Sequence, residues 1–191
     1  MTAPRIIAFA GSTREASLNR KLIRIASGIA TEIGADVTLL DLRDYDMPIY
    51  NGDLEAREGL PAAALTLKAL FAEHQGLLIA SPENNACVSA LLKNTIDWMS
   101  RPIPASQGGP AGPQPFKGKF AALLAASPSF HGGMRGLVAL RAMMQTLGVT
   151  TLAEQHTVGK AHEAFDADGV FKDAGQLESV AGVVRRLVEV L

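Results

Sequence analysis

The 191-residue sequence contains one cysteine, few aromatic residues and almost no excess of charge. A single cysteine, Cys87, excludes an internal disulfide and a cysteine-rich metal cluster. The net charge is −1 and no basic run is longer than residues 185–186, which argues against a nucleic-acid partner. No apolar run approaches the ~20 residues of a membrane helix, and no signal-peptide pattern is present. These absences predict a cytoplasmic globular protein with neither nucleic-acid nor membrane partners.

Several motifs of nucleotide binding and catalysis are also missing. Neither the dinucleotide fingerprint G-x-G-x-x-G nor the nucleotide P-loop G-x-x-x-x-G-K-[ST] is present. The motifs G-x-S-x-G, H-E-x-x-H and C-x-x-C, which mark nucleophiles, zinc sites and redox pairs, are absent as well. None of these motifs therefore indicates a side-chain nucleophile or a metal site in this sequence.

Short apolar runs alternate with longer amphipathic segments along the whole chain. Five apolar runs are predicted as strands, at residues 5–10, 36–42, 76–81, 119–127 and 149–154. Each is followed by a helical pattern, such as apolar residues at 18, 22, 25, 29 and 33. Parallel strands need helical crossovers, which cover both faces of a sheet. We therefore predict a single α/β domain over residues 1–191, a three-layer doubly wound fold with the flavodoxin-like parallel strand order 2-1-3-4-5.

The stretch GSTREASLNR, residues 11–20, follows the first strand and opens the first helix. A helix N-terminus attracts anions, and this one carries hydroxyl and basic side chains in place of several glycines. A terminal phosphate, such as that of FMN, suits Ser12, Arg14, Ser17 and Asn19, with Leu18 beside them. The alternative is a helix N-cap with solvated side chains, and this stretch alone does not decide between the two.

Two further loops leave the carboxyl ends of the third and fourth strands, where ligands bind in such sheets. Backbone N–H and polar side-chain groups of the first loop could face the edge of a planar ring. The candidate residues are Pro82, Glu83, Asn84, Asn85 and Cys87. The second offers donors and room for close approach at Ser127, Gly132 and Gly133, with His131 as a possible proton donor. The alternatives are plain turn formers, a solvated histidine and a small buried cysteine, the last being the favoured interpretation of Cys87.

The three stretches together resemble the NADPH-dependent FMN reductase family, which includes azoreductase-, chromate- and quinone-reductase-like members. The first stretch matches the pattern GSxRxxSxNR, and the second is close to PEYNxSxPGxLKNAIDWxSR after a Ser or Thr. The third is a Ser-Pro turn followed by GGxR, and the loop DYDMPIYNGD at 44–53 also resembles the family. The sequence departs from the pattern at Asn84, Cys87 and Ser89, where the family has tyrosine, a small hydroxyl residue and proline. Asn84 removes an aromatic contact with a flavin, and Ser89 is suited to cap the following helix.

The resemblance implies an FMN-dependent oxidoreductase that takes hydride from NADPH or NADH and passes electrons to a second acceptor by a ping-pong scheme. The acceptor would be a flavin, a quinone, an azo compound or a metal oxyanion, and the flavin would carry the chemistry without a catalytic side chain. It also implies a homodimer or homotetramer, with loop 43–59 of one subunit near the flavin of another. The implied substrate rim consists of Asp46, Pro48, Tyr50 and His131.

Two other functions share the predicted fold. A flavodoxin-type electron carrier is usually strongly acidic and encloses its flavin between aromatic rings, whereas residues 82–87 contain no aromatic residue. A non-catalytic relative with weakened flavin binding is compatible with the departures at Asn84 and Ser89. The Pro/Gly-rich segment 101–118 joins a helix to a strand and is predicted at the amino edge, as a flexible or oligomer-contacting loop rather than a lid.

Overall fold

Five parallel strands form one sheet in the order β2-β1-β3-β4-β5 in the computed structural model, which describes residues 2–109 and 115–191. The strands are β1 Arg5–Ala10, β2 Asp36–Leu40, β3 Gly76–Ala80, β4 Phe120–Ala126 and β5 Thr150–Val158. The helices are α1 Leu18–Glu32, α2 Gly52–Glu58, α3 Ala62–Ala72, α4 Ala90–Ser100, α5 Met134–Thr146, α6 Ala161–Ala164 and α7 Ala174–Glu189. The predicted fold class and strand order are confirmed.

The central strands are apolar on both faces because helices cover the sheet on each side. Strand β3, GLLIA, is buried at every position, and it pairs with β1 and β4. Successive side chains of β1 enter opposite layers: Ile6 and Ala8 pack with α1 and α7, while Ile7 and Phe9 pack with α3, α4 and α5. The sheet is therefore the middle layer of three, and its carboxyl edge is left to the loops.

Strand β5 is longer than its sequence indicates. It was predicted to end at residue 154, but it continues to Val158 through the polar residues Glu154, Gln155, His156 and Thr157. An edge strand tolerates polar side chains, and its register against β4 shifts between Ala121 and Leu123. The loop predicted near 155–173 therefore begins only after Val158, and it contains the short helix α6.

The segments after β2 and after α4 also contain local structure. Residues 43–59, predicted as a loop, include helix α2 and the end of a 3-10 turn at Leu42–Asp44. In the Pro/Gly-rich segment, Gln107 accepts a hydrogen bond from Leu60 N–H and donates one to Leu60 C=O, at 2.8 and 2.9 Å. Residues 110–114 of the predicted oligomer-contacting loop lie outside the described residues.

Candidate functional site

A cavity of about 430 Å³ opens at the carboxyl edge of the sheet, between the loops that follow β1, β3 and β4. Strands β1 and β3 are neighbours, so the chain departs to opposite sides of the sheet here, as at the ligand crevices of doubly wound folds. The lining residues are Gly11, Ser12, Thr13, Arg14, Ser17, Leu18, Asn19, Pro82, Glu83, Asn84, Ser89, Ala90, Leu91, Ala126, Ser127 and Pro128. The three stretches singled out in the sequence therefore meet at one cavity.

One end of the cavity is formed by the loop between β1 and α1. Ser17 is the N-cap of α1, and its hydroxyl oxygen accepts the Arg20 N–H, while the Ser12 oxygen accepts the Arg14 N–H. Both serines are buried, and neither hydroxyl donates to another group in the part of the chain that the structure describes. Within the same residues, the backbone N–H groups at 12, 13 and 15–19 have no acceptor. This end is an arrangement of free donors at a helix N-terminus, which favours an anion.

Asn19 and Arg20 lie beside this loop, but their side chains bind the protein itself. The Asn19 amide donates to Ala126 C=O at 2.8 Å and accepts from Ala126 N–H at 2.9 Å, so it joins α1 to the end of β4. Arg20 pairs with Asp41 at 2.7 Å. Arg14, by contrast, is exposed and forms no ion pair within the described residues. It is therefore the cation of this loop that is available to a ligand.

Helix α4 also begins at the cavity. The Ser89 hydroxyl oxygen accepts the Leu92 N–H at 3.1 Å and donates to Gly11 C=O at 2.5 Å. The predicted helix cap is confirmed, and Ser89 has a second role that the sequence did not indicate. It joins the start of α4 to the end of β1, so the first turns of α1 and α4 border the same space.

The loop after β3 forms a tight reverse turn. The backbones of Asn84 and Cys87 exchange hydrogen bonds of 2.9 and 3.0 Å, and the central residues Asn85 and Ala86 have φ values of 52° and 60°. These values are those of a type I′ turn, in which glycine is usual at the second central position. The whole turn projects into solvent, so Cys87 is exposed and its predicted burial is wrong. Only Asn84 of the turn lines the cavity.

Glu83 lines the cavity, but its carboxylate points to helix α5. One oxygen accepts the backbone N–H groups of Arg135 and Gly136 at 3.0 and 3.3 Å, and the other accepts Arg135 Nε at 2.8 Å. Burial would raise the pKa of Glu83, but the hydrogen bonds from Arg135 and Gly136 lower it below its ordinary value. The carboxylate therefore stays charged and fastens the β3 loop to the N-terminus of α5.

The glycine pair after β4 serves close packing within the protein. Gly132 and Gly133 have φ values of 63° and 96°, and a Cβ on Gly132 would lie 2.8 Å from the Val158 carbonyl carbon. Ser127 lines the cavity, whereas Gly132 and Gly133 do not. His131 is exposed beside the ring of Phe130, outside the cavity lining.

A second cavity of about 220 Å³ adjoins the first and shares Thr13 and Leu91 with it. Of the predicted rim residues only Asp46 lines it, while Pro48 and Tyr50 do not. Thr13, Ala90, Leu91, Ala126 and Pro128 were not among the predicted site residues, although each is within four residues of one that was. Small and apolar residues carry no chemical signal of their own, so only the fold reveals them.

The described residues contain neither a metal-binding cluster nor a membrane-spanning helix. Among residues 2–109 and 115–191, no three His, Cys, Asp or Glu side chains are grouped as a metal site would require. No helix in those ranges combines the length and the apolar character needed to cross a bilayer.

Sequence comparison identifies enzymes similar to this chain. A family model described as NADPH-dependent FMN reductase matches residues 4–163. An NAD(P)H-dependent FMN reductase of Pseudomonas aeruginosa is 33% identical over 191 residues, with 96% of each protein covered. A probable NADPH:quinone oxidoreductase of Oryza sativa is 32% identical over 170 residues, which cover 87% of this chain and 78% of the relative.

Structural comparison agrees. A flavoenzyme NAD(P)H:(acceptor) oxidoreductase from Paracoccus denitrificans aligns with a TM-score of 0.78 and 28% identity, covering 98% of this chain and 96% of that one. An azoreductase structure, at 18% identity and a TM-score of 0.59, shares the fold.

Proposed function

Because the chain belongs to the NADPH-dependent FMN reductase family, we propose that it binds FMN in the 430 Å³ cavity and transfers electrons from NADPH or NADH to a small-molecule acceptor. The observation that supports this most directly is the meeting of an anion-binding loop and a ring-sized cleft at one sheet edge. Relatives with similar sequences are named as reductases of FMN and of quinones, which also supports an enzyme rather than an electron carrier.

The FMN phosphate is assigned to the loop between β1 and α1. The N–H groups at residues 15–19 and the hydroxyl hydrogens of Ser12 and Ser17, which have no acceptor among the described residues, are donors for phosphate oxygens. Arg14 supplies a charge-assisted contact. The Asn19 amide is held by Ala126 through its oxygen and one of its two N–H groups, so only the second N–H is left for a phosphate oxygen.

The flavin ring is assigned to the space between Pro82, Asn84 and Ser127. Asn84 supplies no aromatic surface, so ring binding depends on backbone and amide groups and on the rigid loop that Glu83 fastens. Bound FMN would supply the hydride-accepting and electron-transferring chemistry. The protein's residues would hold and orient the ring and exclude water from one of its faces. Asn85, Cys87, Gly132 and Gly133 lie outside the lining.

The reaction is proposed to follow a ping-pong scheme, in which the nicotinamide nucleotide leaves before the acceptor enters the same open side of the cavity. Initial rates measured at several fixed acceptor concentrations, with NADPH varied, test this. Parallel double-reciprocal lines are expected, and intersecting lines would contradict the scheme.

A preparation that stays colourless after incubation with FMN would contradict the proposed function itself.

We also propose that the enzyme is a homodimer or homotetramer. Met134 and Val138 are exposed apolar side chains one turn apart on α5, and Phe130 is 80% exposed near its start. Covering these side chains in a second copy would remove apolar surface from water. Light scattering on the eluting protein is expected to give a mass of two or four chains, and a monomer would contradict this.

A further inference from the structure

Ser89 binds the backbone at the end of β1 as well as its own helix. Its hydroxyl donates to Gly11 C=O at 2.5 Å, and its oxygen accepts the Leu92 N–H at 3.1 Å. The residue is 5% exposed, so both hydrogen bonds are shielded from bulk water. The family pattern has proline at this position, and a proline side chain neither donates nor accepts a hydrogen bond. The contact with Gly11 is therefore a feature of this chain and not of the family pattern.

The loop before α1 and the first turn of α4 approach each other closely at Gly11. A Cβ at this position would lie 3.0 Å from both Cβ and Cδ2 of Leu92, which is tighter than ordinary packing. The Gly11 N–H donates to Ala80 C=O at 3.0 Å, at the end of β3. Both backbone polar groups of Gly11 therefore have partners, and the two partners lie on different elements.

Carbonyl oxygens at the carboxyl edge of the sheet would repel an anion, because each carries a partial negative charge. The carbonyls at the ends of β1, β3 and β4 are occupied by donors of the protein itself. The acceptor and donor pairs are Gly11 C=O with Ser89 O–H, Ala80 C=O with Gly11 N–H, and Ala126 C=O with the Asn19 amide. At these three strand ends the carbonyl oxygens are therefore turned to the protein and not to a ligand.

The Ser12 N–H belongs to the same peptide unit as the Gly11 carbonyl. In a trans peptide these two groups point in opposite directions, so the hydrogen bond from Ser89 also fixes the direction of the Ser12 N–H. That N–H has no acceptor within residues 2–109 and 115–191, and Ser12 lines the main cavity. Without the Ser89 hydroxyl, the peptide would be free to rotate and to expose its carbonyl oxygen.

We propose that Ser89 is a positioning residue for the phosphate of FMN. Its hydroxyl holds the Gly11 carbonyl away from the anion and keeps the Ser12 N–H available as a donor to a phosphate oxygen. The inference rests on the proposed function, because FMN is the ligand whose phosphate this loop would bind. It predicts that loss of the hydroxyl weakens the binding of the phosphate and not that of the flavin ring.

The test measures the Kd for FMN and for riboflavin, which lacks the phosphate, in wild type, Ser89→Gly and Ser89→Thr. Glycine removes the hydroxyl but is still accepted at a helix N-cap, whereas threonine keeps the hydroxyl. Asp173→Gly is the matched control, because Asp173 caps α7 through the Gly175 N–H and is not among the residues that line the cavity. The melting temperature of FMN-free protein, with and without inorganic phosphate, is a second measurement that does not depend on the ring.

Ser89→Gly is expected to weaken FMN binding about tenfold and riboflavin binding by less than about twofold, because only the phosphate contacts depend on the Gly11–Ser12 peptide. Its melting temperature should also rise less with inorganic phosphate than that of wild type. Ser89→Thr and Asp173→Gly are expected to keep the FMN Kd within about twofold of wild type. Ser89→Cys keeps the size of the side chain but offers only a weak donor, so it should weaken FMN binding as well and serves if Ser89→Gly does not fold.

An unchanged FMN Kd in folded Ser89→Gly would overturn the inference. Equal losses for FMN and riboflavin would also overturn it, because Ser89 would then support only the fold, and so would equal weakening by Ser89→Thr and Ser89→Gly, because the hydroxyl would not be the cause. Wild-type protein that is stabilised by inorganic phosphate but does not bind FMN would instead overturn the proposed function, and the phosphate measurement would then decide the role of Ser89.

Discussion

Replacing Arg14 distinguishes two interpretations of the loop between β1 and α1: a phosphate-binding site, or a helix N-cap with solvated side chains. It is exposed at the cavity and has no ion-pair partner in the described chain. Loss of one charge-assisted contact costs about 1.5–3 kcal/mol, and solvent exposure favours the lower end. Arg14→Gln is therefore expected to weaken FMN binding about tenfold, measured by flavin fluorescence titration.

Riboflavin, which lacks the phosphate, provides the internal control for that titration. Its affinity should be the same for wild type and Arg14→Gln. Arg24→Gln makes the same change of charge on α1, at a residue that lines a different surface cavity, and should leave FMN affinity unaltered. Equal weakening of FMN and riboflavin by Arg14→Gln would refute a phosphate contact.

Ala86 carries backbone strain in the turn beside the cavity. Its φ of 60° is in the left-handed region, which costs an alanine about 1–2 kcal/mol. Glycine removes the steric cost but is more flexible in the unfolded chain, so Ala86→Gly is expected to raise the free energy of unfolding by up to about 1 kcal/mol. Urea denaturation measures this.

Ala142→Gly is the matched control for the turn, because Ala142 is exposed within α5. The same substitution there should lower the free energy of unfolding by about 1 kcal/mol. A loss of stability in both variants would mean that the turn is not strained.

For single residues, the sequence predicts the role of a side chain best when its hydrogen-bond partner is nearby in the chain. Ser89 was predicted as a helix cap, and it caps α4, because its acceptor role depends on Leu92 three residues on. Its bond to Gly11 C=O was not predicted, and neither was the Asn19 bridge to Ala126, since both partners are far away in sequence. Cys87 was wrongly predicted as buried because its turn projects outward.

The loop after β3 and helix α5 are joined by Glu83, which makes their association sensitive to acid. The pKa of Glu83 is lowered in the folded protein, so the unfolded chain binds a proton more readily. Its stabilisation is therefore fully present above about pH 4.3, the ordinary glutamate value, and is lost as the pH falls through the lower folded pKa.

Glu83→Gln is expected to lower the free energy of unfolding of the FMN-free protein at pH 7 by about 1–3 kcal/mol, because the buried carboxylate accepts charge-assisted hydrogen bonds. The difference from wild type should shrink below about pH 4.3. Thermal or urea unfolding at both pH values measures it. A difference that is constant with pH would show that the charge of Glu83 does not contribute.

Elements were predictable where the pattern was strong. The central strands are continuous apolar runs, and β1 and β3 were located correctly to within one residue. Strand β5 was predicted to end too early, because the sequence EQHT has no apolar alternation. In the structure, pairing with β4 extends the strand to Val158. The hydrogen bonds that join Pro48 and Tyr50 to helix α4 could not be predicted from the sequence either, because their partners are 44 to 50 residues away in the chain.

The topology of the whole molecule follows from the alternation of strands and helices along the chain. Parallel pairing and right-handed crossovers restrict five such units to few topologies, and the predicted order 2-1-3-4-5 is confirmed. That order brings three distant loops to one cavity, which is why the site could be predicted as a group of loops. The side cavity could not, because it depends on side-chain packing rather than on topology.

The most direct test of the proposed function is an anaerobic titration of the FMN-loaded protein with NADPH and, separately, with NADH. The oxidised flavin spectrum is expected to disappear after about one equivalent of at least one nucleotide, since a hydride carries both electrons the flavin accepts. It should return when 1,4-benzoquinone is added. A flavin spectrum that neither NADPH nor NADH alters would contradict the assignment of this protein as an NAD(P)H-dependent reductase.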